Sequence, residues 1–98
     1  MKFVINKPTQ NPLNLMRQFG YHPDFDGQSF SKRLGARTYP RLHIYLKELD
    51  NNKLEISLHL DQKKPSYLGQ KAHSADYQGD ILTEEKKRLL AALLDLPN

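Results

Sequence analysis

Histidine and aspartate side chains are placed where they could support acid–base chemistry. His59 and Asp61 are two residues apart in a segment of alternating polarity, so both side chains would lie on one face of a strand. A carboxylate that orients an imidazole is a common arrangement for proton transfer. The candidate catalytic residues are His43, His59, Asp61, His73 and Asp76.

Three interpretations of these five residues stay open. They form an acid–base centre, or they bind a divalent metal through imidazole nitrogens and carboxylate oxygens, or they stabilise the sheet and hold an adjacent loop. The chain contains no cysteine, which excludes disulfides, thiolate metal sites and a cysteine nucleophile. We expect no bound cofactor, and a divalent metal is the alternative.

A basic stretch interleaved with aromatic residues is the second candidate site. Between Asp26 and Glu48 the sequence has no acidic residue and five basic residues. Arginine contacts phosphate in a bidentate way and tyrosine stacks on bases, so this composition favours RNA or a single-stranded nucleic acid. Protection of a sheet edge against aggregation is the alternative. The candidate nucleic-acid-binding residues are Arg33, Arg37, Tyr39, Arg41, Tyr45, Lys47, Lys63, Lys64 and Tyr67.

Two segments with strict alternation must position the two histidines. Apolar residues occupy every second position over residues 42–46 and again over residues 54–60, which is the period of a half-buried strand. Between the segments, Asp50, Asn51 and Asn52 tolerate the geometry of a tight turn. A three-residue loop keeps both apolar sets on one face and places His43 directly opposite His59.

The remaining elements complete an α+β fold. Asn11 and Pro12 predict the start of a helix that ends near Gly20, residues 29–34 predict a strand, and Thr83 predicts the start of a last helix. The expected architecture is a single domain over residues 1–98: helix, three-stranded antiparallel sheet, helix, an αβββα two-layer sandwich. Residues 3–5 are a candidate extra edge strand, and residues 62–82 are expected to form a long loop.

Composition narrows the classes of partner. The net charge of +4 favours a polyanionic partner. No apolar run approaches the ~20 residues that a membrane-spanning helix needs, and residues 1–7 do not resemble a secretory signal. We therefore expect a cytoplasmic protein without a membrane partner. The five glycines are isolated from one another, which excludes a phosphate-binding loop.

Phe19, Gly20 and Tyr21 close the first predicted helix, and His43 lies early in the second predicted strand. This order of elements resembles the double-stranded-RNA-binding-domain-like fold, in particular HicA-type mRNA interferase toxins. The resemblance implies RNA as the substrate and His43 as the residue that carries cleavage. Residues 59–67 (HLDQKKPSY) and 72–79 (AHSADYQG) also resemble short uncharacterised proteins of reduced-genome bacteria, a group with no assigned activity.

Three hypotheses about function follow from the sequence. The first is a small nucleic-acid-binding domain, with RNA as the expected ligand. The second is a hydrolase centred on His43 and His59, which is either a ribonuclease in which one imidazole takes a proton and the other gives one, or a metal-assisted enzyme. The third is a protein-interaction module that docks a partner on the bare sheet face or on the last helix.

Overall fold

The described part of the chain folds into a five-stranded antiparallel sheet with two helices packed on one face. The computed structural model describes residues 1–62 and 71–96, and over residues 71–78 it describes the helical backbone without side chains. The strands lie in the order β1-β5-β4-β3-β2. In chain order the elements are β1 (Lys2–Asn6), α1 (Pro12–Gln18), β2 (His22–Pro23), β3 (Ser29–Arg33), β4 (Arg41–Leu49), β5 (Lys53–Asp61) and α2 (Lys71–Leu94).

The predicted αβββα sandwich with a three-stranded sheet is wrong, because two more strands extend the sheet at its edges. β1 pairs with β5, so the candidate edge strand at residues 3–5 is present and runs over Lys2–Asn6. β2 consists of His22 and Pro23 alone, paired with Ser31 and Phe30. A two-residue strand that contains proline leaves no periodic pattern in the sequence, so the sequence does not predict it.

The hairpin formed by β4 and β5 is confirmed in its predicted register. Arg41 lies opposite Asp61, and His43 lies opposite His59. Asn51 and Asn52 adopt φ angles of 64° and 59° in the connecting turn, a left-handed conformation that asparagine tolerates. The period of two and the turn residues were therefore sufficient to fix this half of the sheet.

The two helices differ in how well the sequence predicts them. The side chain of Asn11 caps α1 by accepting a hydrogen bond of 2.8 Å from the backbone N–H of Asn14. α2 begins at Lys71 rather than at Thr83. Of the loop expected over residues 62–82, residues 63–70 lie outside the described part, and residues 71–82 are helical. Gly79 lies inside α2, where a glycine costs ~1 kcal/mol relative to alanine. The packing of Ile81 and Leu82 against the core outweighs this cost.

The helices cover one face of the sheet, and the opposite face, which we call the outer face, carries the polar residues. The core between helices and sheet is apolar and nearly inaccessible to solvent. Among the described residues, no helix is long and apolar enough to cross a membrane. Core residues are Phe3, Leu15, Met16, Phe19, Tyr21, Leu42, Ile44, Ile56, Leu58, Leu60 and Leu89. Outer-face residues of the hairpin are Arg41, His43, Tyr45, Lys47, Glu55, Ser57, His59 and Asp61.

A buried polar network attaches α2 to the rest of the fold. The hydroxyl of Tyr21 donates a hydrogen bond of 2.6 Å to Oε2 of Glu85, which is 6% exposed. Arg88 donates to Oε1 of the same carboxylate at 2.7 Å and to the backbone carbonyl of Phe19 at 2.9 Å. Lys32 lies 3.9 Å from Oε2. The network thus joins α2 to the end of α1 and to β3.

Candidate functional site

His43 lies between two carboxylates on the outer face. Its Nδ1 atom is 3.0 Å from Oδ2 of Asp61 on the neighbouring strand. Its Nε2 atom is 3.2 Å from Oδ2 of Asp24, which belongs to the segment between β2 and β3. Nε2 is inaccessible to solvent and has no aligned hydrogen-bond partner within the described part of the chain. Both ring nitrogens therefore face carboxylate oxygens and not open solvent.

A tight turn after β2 holds Asp24 over the sheet. The N–H of Asp24 donates to the carbonyl of Ser29 at 2.9 Å, and the N–H of Gly27, at a φ of 71°, donates to the carbonyl of Asp24 at 3.1 Å. Asp26 closes the turn by accepting hydrogen bonds from the backbone N–H groups of Gln28 and Ser29 at 2.9 and 3.0 Å. These bonds hold the pKa of Asp26 below its ordinary value.

Two buried serines of β3 complete the surroundings of Asp24. Ser29 and Ser31 are 1% and 9% exposed, and their Oγ atoms lie 2.8 Å from the carboxylate oxygens of Asp24. Ser31 is directly opposite His43 in the β3–β4 register, so it shares the outer face. Buried hydroxyls need such partners. We call Asp24, Ser29, Ser31, Arg41, His43 and Asp61 the His43 cluster.

Arg41 belongs to this cluster and is less available for phosphate than predicted. Its Nε atom donates to Oδ2 of Asp61 at 3.3 Å, and Nη1 lies 4.0 Å from Oδ1 of Asp24. The guanidinium carbon also lies 5.2 Å from the ring centre of Tyr39. Two carboxylates and an aromatic ring therefore fix this arginine in place.

His59 lies beside the cluster and is exposed. It is opposite His43 in register, so the predicted juxtaposition of the two histidines on one face is confirmed. The ring of Tyr45 adjoins both, with centroid distances of 4.7 Å to His43 and 6.2 Å to His59. Reduced solvation, together with the positive N-terminal amino group and His43, lowers the pKa of His59 from its ordinary value. The neutral form of this imidazole is therefore favoured at neutral pH.

The other candidate residues are not all described. The side chains of His73 and Asp76 lie in the part of α2 that is described by backbone alone, and Lys63, Lys64 and Tyr67 lie outside the described residues. Within the described part of the chain, no group of three or more histidine and acidic side chains could hold a metal ion. The divalent-metal alternative stays a prediction that involves residues 73 and 76.

The exposed basic residues surround the aromatic ones. Tyr39 and Tyr45 are 39% and 41% exposed. Arg33 and Arg37 are also exposed, and the ion pairs recorded over residues 1–62 and 79–96 do not include them. Lys47 lies opposite Glu55 on the same face. Arg33 and Arg37 are therefore available to a ligand, whereas Lys47 has an acidic neighbour across the sheet.

Sequence reasoning missed the part of the His43 cluster that precedes β4. Asp24 lies outside the predicted elements, and Ser29 and Ser31 lie in the strand predicted over residues 29–34; the sequence indicates no role in a site for any of them. The spacing of Asp26 three residues before Ser29 is typical of a turn closed by an aspartate side chain, and this signal could have found the turn. It would not have shown that Asp24 contacts His43.

Comparison of the chain with protein-family models, with curated proteins and with solved structures gives no match. The resemblance to HicA-type interferases therefore stays a prediction. The function must be argued from the geometry of the outer face.

Proposed function

We propose that the protein binds single-stranded RNA across the outer face. The observation that carries this proposal is the adjacent pair of exposed rings, Tyr45 and His59, on a sheet face that neither helix covers. Stacking of a base on such a ring contributes about 1–3 kcal/mol and does not depend on sequence. The two rings are close enough to receive neighbouring bases of one strand.

Lysines flank these rings on the side that is distant from Asp24. Lys47 is two residues along β4 from Tyr45, so it points to the same face. Lys2 lies opposite Ser57, which is itself opposite Tyr45. Phosphates of a strand stacked on Tyr45 and His59 would lie within reach of both lysines. This part of the face supports RNA binding better than the region around Arg41 does.

Arg33 supplies a second cationic position. It lies directly opposite Arg41 in the β3–β4 register, and like charges in this position repel each other. A phosphate beside Arg33 would offset this repulsion. The carboxylates of Asp24 and Asp61 would repel the backbone of the RNA, so we expect the strand to pass beside the His43 cluster and not over it.

The double substitution Tyr45→Ala and His59→Ala is expected to weaken RNA affinity about tenfold or more, because it removes both stacking surfaces. Fluorescence anisotropy with a short labelled single-stranded RNA at two salt concentrations would measure this. The matched control is Phe25→Ala, which removes a fully exposed ring from the β2–β3 turn and should leave affinity unchanged. Absence of wild-type binding at micromolar protein and low salt would end the proposal.

Cleavage of the bound RNA is the second candidate function, and the neutral, exposed imidazole of His59 favours it. In this reaction His59 takes the proton of the attacking ribose hydroxyl, and a protonated His43 gives a proton to the leaving oxygen. Asp24 must first move away from the Nε2 atom of His43, which it shields.

If cleavage occurs, His43→Ala and His59→Ala should each reduce the rate by about a hundredfold or more, the contribution expected of a positioned acid or base. Gel separation of labelled RNA after incubation with each purified variant would measure the rate. Arg17→Ala is the control, since Arg17 is an exposed residue of α1, which lies on the opposite side of the sheet from the pair. Equal cleavage by all three variants would show that the activity does not arise from this pair.

A further inference from the structure

The edge of β1 that faces away from β5 is open to solvent. The N-terminal amino group of Met1 donates to the carbonyl of Leu58 at 2.9 Å, and the N–H of Leu58 donates to the carbonyl of Met1 at 2.7 Å. Hydrogen bonding alternates along an antiparallel pair, so Lys2, Val4 and Asn6 direct their N–H and C=O groups outward. No strand within the described part of the chain pairs with this side.

A groove of about 530 Å³ lies between this edge and the last turns of α2, with leucines on the helix side and polar side chains on the side of the segment after β1. Leu90 and Leu94 are one helical turn apart on its wall, and they are 37% and 86% exposed. Ile5 and Leu93 form the deeper part, where they pack against the core. The volume lies within the roughly 300–1,000 Å³ that is usual for ligand sites. Leucines exposed to this degree beside a bare strand edge indicate a surface that a ligand can cover.

Polar atoms in the groove indicate the chemistry of that ligand. The Oε1 atom of Gln10 is buried in the lining and has no hydrogen-bond partner among the described residues. A buried acceptor without a donor is unusual, and a backbone N–H would satisfy it. Lys7 and Lys53 line the same groove; Lys7 is paired with Glu48 at 2.8 Å, whereas the ion pairs recorded among the described residues do not include Lys53 or Lys2 of the β1 edge. The rim is therefore basic.

We propose that the β1 edge and this groove bind an extended, acidic peptide segment of a partner protein, which adds as a sixth strand to the sheet. Strand addition satisfies the outward N–H and C=O groups of β1, which an aliphatic ligand would leave unpaired. Acidic side chains on the outer face of the added strand complement Lys2 and Lys53, which lie on that face. A second copy of this chain would bring the same lysines to the interface, so charge disfavours self-association at this edge.

The register of the added strand specifies a pattern in the partner. The residue opposite Val4 lies on the outer face with Val4, and the residues before and after it lie on the inner face with Phe3 and Ile5. These two residues point toward Leu90 and Leu94. The partner segment therefore carries apolar side chains at two positions spaced by one residue, and acidic side chains at the positions between and around them.

A labelled eight-residue peptide of alternating valine and glutamate is the probe that tests this site. We expect fluorescence anisotropy to show saturable binding, and we expect NMR shifts at the amides of β1 and at the methyl groups of Leu90 and Leu94. Leu94→Lys should weaken binding at least tenfold. Val4→Pro removes an outward N–H that makes no bond within the sheet, and it should have a similar effect.

Matched controls separate recognition from loss of fold. Leu13→Lys changes an exposed leucine of α1 and should leave the affinity for the peptide unchanged. A peptide of alternating valine and lysine should bind at least tenfold more weakly than the glutamate peptide. Equal binding of the two peptides, or equal binding by the Leu94→Lys variant, overturns the proposal. A concentration-dependent dimer with protected β1 amides also overturns it, because the occupant is then a second copy.

Discussion

Replacement of Glu85 by alanine is expected to lower the free energy of unfolding by about 2 kcal/mol, within the range observed when a buried polar group loses its partner. The substitution leaves the hydroxyl of Tyr21 and the guanidinium of Arg88 without their carboxylate partner, and Tyr21 is completely buried. An unsatisfied buried hydroxyl costs about 1–3 kcal/mol, whereas Arg88, whose side chain is 42% exposed, can turn to solvent. Urea unfolding followed by circular dichroism would measure the loss.

Glu84→Ala is the matched control for this prediction. Glu84 is the neighbouring acid on α2, its side chain is 75% exposed, and its partner Lys87 lies 3.5 Å away. Exposed pairs of this kind contribute little to stability, so the control variant should unfold close to the wild type. An equal loss of stability in both variants would mean that the buried network does not anchor α2.

The same network predicts how stability depends on pH. Burial alone would raise the pKa of Glu85, but hydrogen bonds from Arg88 and Tyr21 outweigh it and lower this pKa below its ordinary value. The stabilisation from ionised Glu85 is therefore present above the pKa of the unfolded chain and is lost as pH falls through the lower folded value. Burial and the contact with Glu85 raise the pKa of Tyr21, so its stabilisation is lost only in strongly alkaline solution.

Unfolding measured at several acidic pH values would test the first of these effects. Wild-type stability should decline as the pH falls below the ordinary pKa of a glutamate, which is about 4.3. Glu85→Gln should be less stable than the wild type at neutral pH and should lose less on acidification, because it has no carboxylate at this position. Parallel pH profiles for the two proteins would contradict the assignment to Glu85.

The hairpin was predictable because local and global preferences agree there. Alternating apolar residues fix which face of β4 and β5 is buried, and the asparagines at 51 and 52 fix the turn, so a register error would expose the whole apolar set. α1 was predictable for a similar reason, since Asn11 and Gly20 are strong signals at its ends. In these elements the structure is determined by residues that are close together in the sequence.

The start of α2, the strand β2 and half of the His43 cluster could not be predicted, because packing between distant segments determines them. Ile81 and Leu82 are helical because they pack against the core, and the sequence alone does not show which residues form that core. Asp24 meets His43 only because β2 pairs with β3 and thereby places the following turn over the sheet. A single sequence carries the residue types for such contacts but not the pairing that creates them.

Removal of the Asp24 carboxylate is expected to lower the free energy of unfolding by about 1–3 kcal/mol, because Asp24→Ala leaves the buried hydroxyl of Ser31 without its partner. The hydroxyl of Ser29 keeps Asp26 as a partner at 2.9 Å. Ser29 and Ser31 both lose a contact of 2.8 Å, and His43 loses a neighbouring charge. Asp24→Asn is the matched variant, since the amide keeps one acceptor oxygen, removes the charge and replaces the other oxygen with an N–H donor, to which a serine hydroxyl can turn its oxygen. Thermal and urea unfolding of the two variants would separate the hydrogen bonds from the charge.

The effect of Asp24→Asn on RNA affinity connects the cluster with the proposed function. Loss of a negative charge beside the outer face should strengthen binding at low salt and should matter less at high salt, where charges are screened. Anisotropy titrations at both salt concentrations would detect this. If Asp24 instead contacted the ligand directly, the same substitution would weaken binding at both salt concentrations. The sign of the change therefore shows whether the His43 cluster lies beside the bound strand or beneath it.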